Sequence, residues 1–491
     1  MNTDPAPTAE LGQSLEHPKD SAARWILLAA LLVGLTRFVR LGEWSLWLDE
    51  ALTLADSLQS DPLGLKNPLG YGLFQLYFGL LDGRPTELEM RLLPALLGWI
   101  GIPLTYWAFA PFAGRRVAAG AALLIAASSW HTYWSQMARF YTLTQDLSLL
   151  GCGLVLRGLW KESTVRVLFG LGVAASACLA HYSGVFPIPA LVVLPLLLKL
   201  CGVDIPGARS TAGKILLALG LLGVLAASTR LAEVWRVWNA IKGGGSPAHF
   251  VLTTGFFITP LFGIGALIGA IMAFRRRRPF ELFAVAVVVL VFIEAIVAAC
   301  FVRVSAQYVF VLLPWVALVA ALPLDWRPSA EDADSSPSYS RGGTSAVALG
   351  YLALLVLPSL STVGLYLTAR QGERPMWREA YRYVHFNKQP DDLILGMDAP
   401  VGEYYLSPGA VDLRNQTQLA YLDNFRAHLP DRWARFDRRT WFVLNLEQLE
   451  DWEKGQAKRL RTTLAESCRL VASFPLIVES RDLSVYVYLR E

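Results

Sequence analysis

The sequence predicts a polytopic α-helical membrane protein with a small α/β domain at its C-terminal end. Of its 491 residues 54% are hydrophobic and the mean hydropathy is +0.40, whereas soluble domains are about 45–50% apolar. The apolar residues form blocks of roughly 17–25 residues, the length of a helix that crosses about 30 Å of hydrocarbon. After about residue 369 the blocks stop and the composition becomes that of a soluble protein.

The apolar blocks predict about eleven transmembrane helices. They cover residues 25–41, 92–112, 117–130, 141–160, 165–181, 184–200, 213–230, 250–274, 280–302, 306–324 and 346–368. The third block spans only about 21 Å at 1.5 Å per residue, so we predict a thinned or re-entrant span there. Residues 1–23 are polar and lack the basic start of a signal peptide, so we predict a cytoplasmic tail and a retained first helix.

Basic residues set the predicted orientation, because short cytoplasmic loops collect Lys and Arg. With the N-terminus inside, the inner loops hold Arg115 and Arg116 and the run 275–278, which is four consecutive arginines. The outer connections near His181 and Val304 carry at most one basic residue each. The third block must therefore cross the membrane, since otherwise the arginine run would face outward.

Three segments then face the outside. The first outer loop, 42–90, contains the apolar stretch 65–81, which Pro68 and glycines interrupt, and we predict an interfacial helix there. Segment 230–249 contains the glycine run at 243–245 and is predicted to be a flexible outer loop. The third segment is the C-terminal domain. Segment 325–344, rich in Pro, Ser and Asp, is predicted to be a disordered cytoplasmic linker.

The predicted extracytoplasmic domain, 369–491, has the pattern of a small α/β fold. Trp377, Tyr381 and Val384 recur at helical spacing in RPMWREAYRYVHF. Residues 447–466 predict a second helix. The stretches DDLILGMD, TWFVLNL, CRLVASFPL and LSVYVYL predict four strands.

Composition and motifs exclude several function classes. The net charge of +4 gives no sign of nucleic-acid binding. The five cysteines form no CxxC pattern, and we find no HExxH, GxSxG, Walker A or Rossmann motif. We therefore expect any catalytic site to be built from the ends of the predicted spans. We also predict no metal or other cofactor, since arginines can neutralise one donor phosphate.

The stretch SLWLDEALTL places two carboxylates, Asp49 and Glu50, at the outer end of the first span. An ordinary solvated pair is one interpretation. The other follows from Trp47 and Leu48 beside them, because desolvation raises the pKa of a carboxyl group and makes it a better general base. A single carboxylate of this kind can remove the proton of an acceptor hydroxyl. No second acid is needed when the leaving group is a phosphate, because a phosphate is stabilised by positive charge and not by a proton donor.

Further candidates lie at outer span ends. Arginine binds phosphate through a planar fork, although a lone arginine at an interface also snorkels to lipid headgroups. The arginine candidates are Arg91, Arg139 and Arg303, of which Arg139 has Gln136 and Tyr141 beside it. His181 and Tyr182 form another outer cluster, which is structural unless it converges with these groups. For Asp146 and Glu294, within spans, we predict helix–helix pairing.

Several of these motifs resemble those of the GT-C membrane glycosyltransferases. LWLDEALTL is similar to the family's acidic first-loop signature, ELEMRLLPALLG to its entry into the second span, and SQMARFYTL to its SQxARxY segment. PMWREAYRYV followed by DDLIL resembles the start of the outer domain in many members. The group concerned is bacterial and includes the protein O-mannosyltransferase-like, lipid A aminoarabinose transferase-like and Rgt-type enzymes.

The resemblance implies a GT-C fold and a function. Such enzymes move a sugar from a polyprenyl-phosphate donor to an acceptor hydroxyl on the outer face of the membrane, typically with inversion. The implied partners are the lipid bilayer, the polyprenyl-phosphate sugar as substrate, and an acceptor protein, glycolipid or polysaccharide. The implied location is the bacterial cytoplasmic membrane.

Residue by residue, the resemblance makes Asp49 the general base, with Glu50 positioning it or the acceptor. It makes Gln136, Arg139 and Tyr141 contacts of the donor phosphate, and it makes Arg91 a partner of the first-loop carboxylates. Two departures leave the sugar and acceptor open. NPLGYG stands where many members have a His-Pro-Pro-like stretch, and Gln307-Tyr308 stands where many have Arg-Tyr. Arg303, expected one helical turn from Gln307, is the candidate substitute for that arginine.

Two other function classes remain open at this point. A transporter or lipid flippase should show an internal repeat with broken helices in matching positions, and the sequence shows no such repeat. A non-catalytic membrane protein with an outer binding domain predicts that Asp49 is replaceable.

Overall fold

The chain is mostly helical and ends in a small mixed sheet. The computed structural model describes residues 20–58, 67–241, 244–325, 346–406, 419–422, 438–450, 454–479 and 481–491. The predicted tail 1–23 and the predicted linker 325–344 lie almost entirely outside the described residues, so both stay predictions.

The helices of the N-terminal half include two that lie within the predicted first outer loop. They are α1 (Ser21–Gly34), α2 (Leu48–Ser57), α3 (Pro68–Phe78), α4 (Glu87–Ala113), α5 (Arg115–Ala127), α6 (Ser129–Ser135), α7 (Tyr141–Trp160) and α8 (Thr164–Ala180). The predicted helix at 65–81 is confirmed as α3, with Pro68 in its first turn, where the missing N–H costs nothing.

The following helices complete the apolar part of the chain. They are α9 (Pro187–Leu200), α10 (Thr211–Ile241), α11 (Pro247–Phe257), α12 (Pro260–Arg276), α13 (Pro279–Ala299), α14 (Leu313–Ala321) and α15 (Ala346–Leu367). Each predicted apolar block falls on a helix. Among the described residues, 6 helical segments are long and apolar enough to cross a membrane, or 7 if a bent pair counts as one span. The chain is thus a multi-pass membrane protein.

Two predicted segments differ in the structure. Block 250–274 is not one straight span, because α11 and α12 meet at an angle of 96°. Pro260 explains the break, since the residue before a proline is pushed out of helical geometry. The predicted loop 230–249 is helical as far as Ile241. Gly245 packs tightly, since a Cβ there would lie 2.5 Å from the backbone of Cys300.

The short third block forms α5, whose residues from Val117 to Ala127 are all buried inside the protein. Its alanines permit close packing, and a Cβ on Gly120 would clash with Leu324. Because this helix is surrounded by protein, its length need not match the thickness of the bilayer. Ser128 ends it and caps α6 by accepting a hydrogen bond from the amide of His131.

The C-terminal domain packs helices against one mixed sheet. Its elements are α16 (Trp377–Asn387), β1 (Leu393–Gly396), α17 (Ala399–Leu406), β2 (Leu419–Tyr421), β3 (Thr440–Asn445), α18 (Leu446–Glu450), α19 (Lys454–Ser467), β4 (Arg469–Phe474), β5 (Ile477–Val478), β6 (Arg481–Asp482) and β7 (Val485–Arg490). The sheet order is β2-β1-β3-β7-β4. Strand β1 is parallel to β2 and β3, and β7 is antiparallel to β3 and β4.

Predictions for this domain hold for its main elements. The four predicted strands are confirmed as β1, β3, β4 and β7, and Trp377, Tyr381 and Val384 are fully buried. The short elements β2, β5, β6 and α17 were not predicted. One hydrophobic core joins this domain to the first outer loop, since Leu46 and Phe74 belong to the same cluster as Trp377 and Trp441. The first loop and the domain are therefore packed as one unit.

Candidate active site

The acidic pair forms the first turn of α2. Trp47 is extended and Leu48 begins the helix, so Asp49 and Glu50 follow at its second and third positions. Carboxylates are favourable there because the helix dipole and the unpaired amides are positive. The Glu50 carboxylate accepts a hydrogen bond from the amide of Trp47 at 2.9 Å, which fixes the start of the helix.

Glu50 is fully buried and holds three parts of the chain together. The Arg91 guanidinium donates to both of its oxygens at 2.8 Å, and the amide of Ala138 donates to Oε1 at 2.9 Å. The Nε atom of Arg374 lies 3.8 Å from Oε2. Burial alone would raise the pKa of Glu50, but Arg91, Arg374 and the Ala138 amide lower it to about 2. Glu50 is therefore ionised at neutral pH and held by Arg91, which leaves Asp49 as the carboxylate of the pair that could act as a base.

Arg91 has no hydrogen left for a substrate. Its guanidinium donates to Glu50 and to the backbone carbonyls of Leu41, Trp44 and Ser45 at 2.8–3.1 Å. A guanidinium has five N–H donors, and these five bonds use all of them. The structure therefore places Arg91 with the first-loop carboxylates and excludes it from the substrate-binding residues.

Asp49 and Arg139 lie beside each other. The Asp49 side chain is 41% exposed, and its Oδ2 atom lies 4.0 Å from Nε of Arg139. The Arg139 guanidinium is held by α2, because its Nη1 atom donates to Thr53 Oγ1 at 2.9 Å and to the Asp49 carbonyl at 3.3 Å. Glu50 sets the distance between them, since it is adjacent to Asp49 in α2 and bonded to the residue before Arg139.

Arg139 is a buried cation with an unused donor. Its guanidinium lies 4.8 Å from the ring centroid of Phe140, and its side chain is 12% exposed. Burial disfavours the charge, but Asp49, Tyr141 and Tyr71 outweigh it, so the pKa of Arg139 is raised. Among the described residues, the Nε atom has no hydrogen-bond partner. The group thus places a positive charge and an unpaired N–H beside Asp49.

Three ring side chains pack in a row that begins next to Arg139. Tyr141 lies 4.8 Å from the ring of His181, and His181 stacks on Tyr308 at 6.0 Å and 22°. The Nδ1 atom of His181 accepts from the amide of Ser183 at 3.2 Å, so the ring proton of the neutral form is on Nε2. Segments from three distant parts of the sequence therefore converge beside Arg139 and Asp49.

Other predicted residues lie elsewhere or have other partners. Gln136 donates its amide to the carbonyls of Arg37 and Val39 at 3.0 and 2.9 Å, so it braces the 3₁₀ turn that follows α1 instead of facing a phosphate. Arg303 is exposed and lies outside any helix, before a 3₁₀ turn that starts at Ala306. The predicted helical spacing between Arg303 and Gln307 is therefore wrong. Tyr182 is half-buried beside His181 at 5.3 Å.

Sequence reasoning missed three residues of this site. Thr53 is four residues after Asp49, so helical spacing would have placed it on the same face. Tyr71 hydrogen-bonds Arg139 from α3, and no local pattern signals this contact. Arg374 lies over the rings of Tyr133 and Trp47 at 4.8 and 5.8 Å. Its distance in sequence from Glu50 hides that contact from any local pattern.

Two carboxylates, Asp146 and Glu294, lie on helices in the apolar part of the chain. Both carboxylate oxygens of Asp146 are buried without a hydrogen-bond partner among the described atoms, so the predicted pairing is not seen for it. Glu294 is half-buried on α13. In the part of the chain that the structure describes, no cluster of three or more His, Cys, Asp or Glu side chains could hold a metal ion.

Solved structures with similar architecture define the fold. No protein-family model and no curated protein matches the sequence. ArnT from Cupriavidus metallidurans bound to undecaprenyl phosphate superposes with a TM-score of 0.57 at 16% identity, over 96% of this chain and 98% of that one. The Archaeoglobus fulgidus oligosaccharyltransferase tethered with an acceptor peptide gives 0.53 at 12% identity, over 88% and 70%. The chain has the GT-C fold.

The fold predicted from the sequence motifs is thereby confirmed. A further structure of the archaeal enzyme, AglB in complex with an inhibitory peptide and a dolichol-phosphate, agrees at a TM-score of 0.52. At identities of 12–16%, these superpositions establish the common fold alone.

Proposed function

We propose that this protein is a glycosyltransferase that moves a sugar from a polyprenyl-phosphate donor to an acceptor hydroxyl on the outer face of the membrane. One observation carries the proposal: a half-exposed carboxylate, Asp49, lies 4.0 Å from a buried guanidinium with an unpartnered N–H, that of Arg139. A general base and an anion site side by side are what such a transfer requires.

The reaction follows from these two groups. Asp49 takes the proton of the acceptor hydroxyl while that oxygen forms a bond to the anomeric carbon. The bond between the anomeric carbon and the phosphate oxygen breaks, and Arg139 stabilises the negative charge on the departing polyprenyl phosphate. Attack opposite the leaving group inverts the anomeric configuration.

The remaining residues suit a lipid-linked sugar. Tyr141, His181 and Tyr308 offer ring faces and hydroxyl groups beside Arg139, where the sugar and its phosphate would lie. ArnT and AglB were solved with undecaprenyl phosphate and dolichol-phosphate, which supports a donor of this class. We place the enzyme in the bacterial cytoplasmic membrane, with a protein, glycolipid or polysaccharide as acceptor. We further propose that no metal takes part, since one guanidinium can match the charge of one phosphate.

The test measures transfer from radiolabelled undecaprenyl-phosphate glucose, mannose, galactose and arabinose in membranes that contain the protein. Asp49→Asn is compared with wild type at equal protein level, and Asp82→Asn, an exposed carboxylate in the same outer loop, is the matched control. We expect one donor to be used by wild type and D82N, with or without EDTA, and transfer by D49N to fall at least about 100-fold.

The other outcomes separate the alternatives. Equal transfer by D49N and wild type would remove Asp49 from the mechanism. Absence of transfer from every donor would favour a transporter or a non-catalytic binding protein. Loss of activity in EDTA would overturn the metal-free proposal.

A further inference from the structure

The segment 41–47, which leads into α2, has its backbone held by two arginines. Five consecutive carbonyls, from Leu41 to Ser45, accept hydrogen bonds from Arg91 or Arg378 at 2.8–3.1 Å. Arg91 comes from the membrane part of the chain, and Arg378 comes from α16 of the C-terminal domain. The segment is therefore fixed from two sides.

Arg378 joins three elements that are distant in sequence. Its Nε atom donates to Glu87 at 2.9 Å, at the start of α4, and its amide donates to Ser45 Oγ at 3.0 Å. Its two Nη atoms donate to the carbonyls of Gly42, Glu43 and Trp44. A lysine has no planar fork and cannot reproduce this set of bonds.

A second residue of the domain supports the same segment. The Tyr405 hydroxyl accepts from the amide of Leu46 at 2.9 Å and donates to Glu87 at 3.0 Å. Arg374, which precedes α16, lies 3.8 Å from Glu50. The C-terminal domain thus contacts the segment 41–47, the start of α4 and the carboxylate beside Asp49.

These contacts bear on the position of Asp49. The segment 41–47 has no regular secondary structure of its own, and such connections are mobile unless their backbone groups are bonded. Asp49 lies two residues beyond the segment. An error of about 1 Å in the position of a catalytic group can cost on the order of 100-fold in rate.

We propose that the C-terminal domain is a positioning element of the active site and that Arg378 is its main positioning residue. This rests on the proposed transferase function. Arg378 touches no substrate and acts through the backbone that carries Asp49. Since Arg139 and the ring side chains remain in place without it, the loss of Arg378 slows the chemical step and leaves donor binding unchanged.

The experiment compares Arg378→Ala and Arg378→Lys with Arg382→Ala in the full-length protein in nanodiscs. Arg382 is exposed one turn further along the same helix, so R382A removes the same charge. The first readout is hydrogen–deuterium exchange of peptides that cover residues 41–50. The second is kcat and KM for the undecaprenyl-phosphate sugar that wild type uses.

We expect faster exchange in residues 41–50 of R378A, with kcat lower by about 10- to 100-fold and KM for the donor unchanged. In R378K, both the exchange rate of residues 41–50 and kcat should lie between those of R378A and wild type, because the lysine keeps the ion pair with Glu87 and loses the carbonyl contacts. R382A should match wild type in both readouts.

Three results would overturn the proposal: unchanged exchange in R378A, faster exchange with normal kcat, or an equal effect of R382A. If wild type transfers no sugar from any donor, the proposed function fails on its own. The exchange data then still decide whether Arg378 holds the segment 41–47.

Discussion

Arg139 and Arg303 show why residue type alone does not define a phosphate site. Both are arginines at outer ends of apolar blocks, but Arg139 is buried with an unpartnered Nε atom, whereas Arg303 is exposed. Removing a preorganised positive donor from a developing anion typically costs on the order of 10²–10³ in rate. We therefore expect R139A to lower kcat/KM about 100-fold or more, and R303A to change it less than about twofold.

The conservative variant R139K separates charge from geometry. A lysine keeps the positive charge but cannot bond Thr53 and a phosphate through one rigid fork. We expect its kcat/KM to lie between those of wild type and R139A. If R139K equals wild type, the site needs only charge there, and an equal loss in R303A would restore Arg303 as a donor contact.

Glu50 makes stability depend on pH. Its pKa is about 2 in the folded protein, against an ordinary value of 4.5. A group with a depressed folded pKa stabilises the protein above its unfolded pKa and loses that effect as pH falls through the folded one. The contribution, on the order of 3 kcal/mol by linkage, should therefore be present above about pH 4.5 and vanish toward pH 2.

The thermal midpoint of purified protein at pH 7, 5 and 3 checks this. E50Q should be destabilised at pH 7 by roughly 3–5 kcal/mol, since it leaves the charge of Arg91 buried without its anion. The difference in thermal midpoint between E50Q and wild type should be smaller at pH 3, because wild type loses part of the Glu50 contribution there. The exposed Glu43 pairs with Arg40, so E43Q should cost less than about 1 kcal/mol. Parallel pH curves for E50Q and wild type would contradict the assignment.

At the scale of elements, a single glycine determines how closely α3 approaches the site. A Cβ on Gly70 would lie 2.6 Å from the ring of Phe140 and 2.8 Å from the carbonyl of Ala180. Overpacking of this kind costs about 1–3 kcal/mol. We expect G70A to lower the thermal midpoint and, by displacing the residue next to Arg139, to reduce kcat/KM about tenfold.

The same helix supplies the control. A Cβ on Gly72 would meet no described atom within 4 Å. Since alanine favours a helix over glycine by up to about 1 kcal/mol, G72A should be as stable as wild type or more so and equally active. Equal losses in G70A and G72A would mean that α3 is sensitive to any change and that the close contact has no special role.

The elements show what the sequence could and could not predict. Apolar blocks located the helices because burial in lipid or protein demands apolar side chains along their whole length. The length of the apolar block does not reveal the break between α11 and α12, because the block continues past Pro260. The SQMARFYTL motif indicated Arg139 and Tyr141, but it also suggested Gln136, whose amide bonds the carbonyls of Arg37 and Val39 after α1. That contact joins residues about 100 positions apart, and local spacing carries no information on it.

At the scale of the whole molecule, the first outer loop and the C-terminal domain form one body with a shared core. We predict their common side of the membrane from the basic residues that lie elsewhere in the chain. Arg276 donates to the carbonyl of Asp325 at 3.0 Å, and Arg278 pairs with the Asp325 carboxylate at 2.9 Å. The positive-inside rule predicts that these basic residues lie on the cytoplasmic side.

This orientation can be measured with single cysteines in a variant that lacks the five native ones. D82C in the first loop and N387C at the end of α16 should react with a membrane-impermeant maleimide in intact spheroplasts, whereas R275C should react only after permeabilisation. All three positions are exposed, so a difference between them reports the side of the membrane. The reverse pattern would place Asp49 and Arg139 in the cytoplasm and exclude transfer on the outer face. Labelling of D82C without N387C would contradict the shared core, because its two halves cannot lie on opposite sides of the membrane.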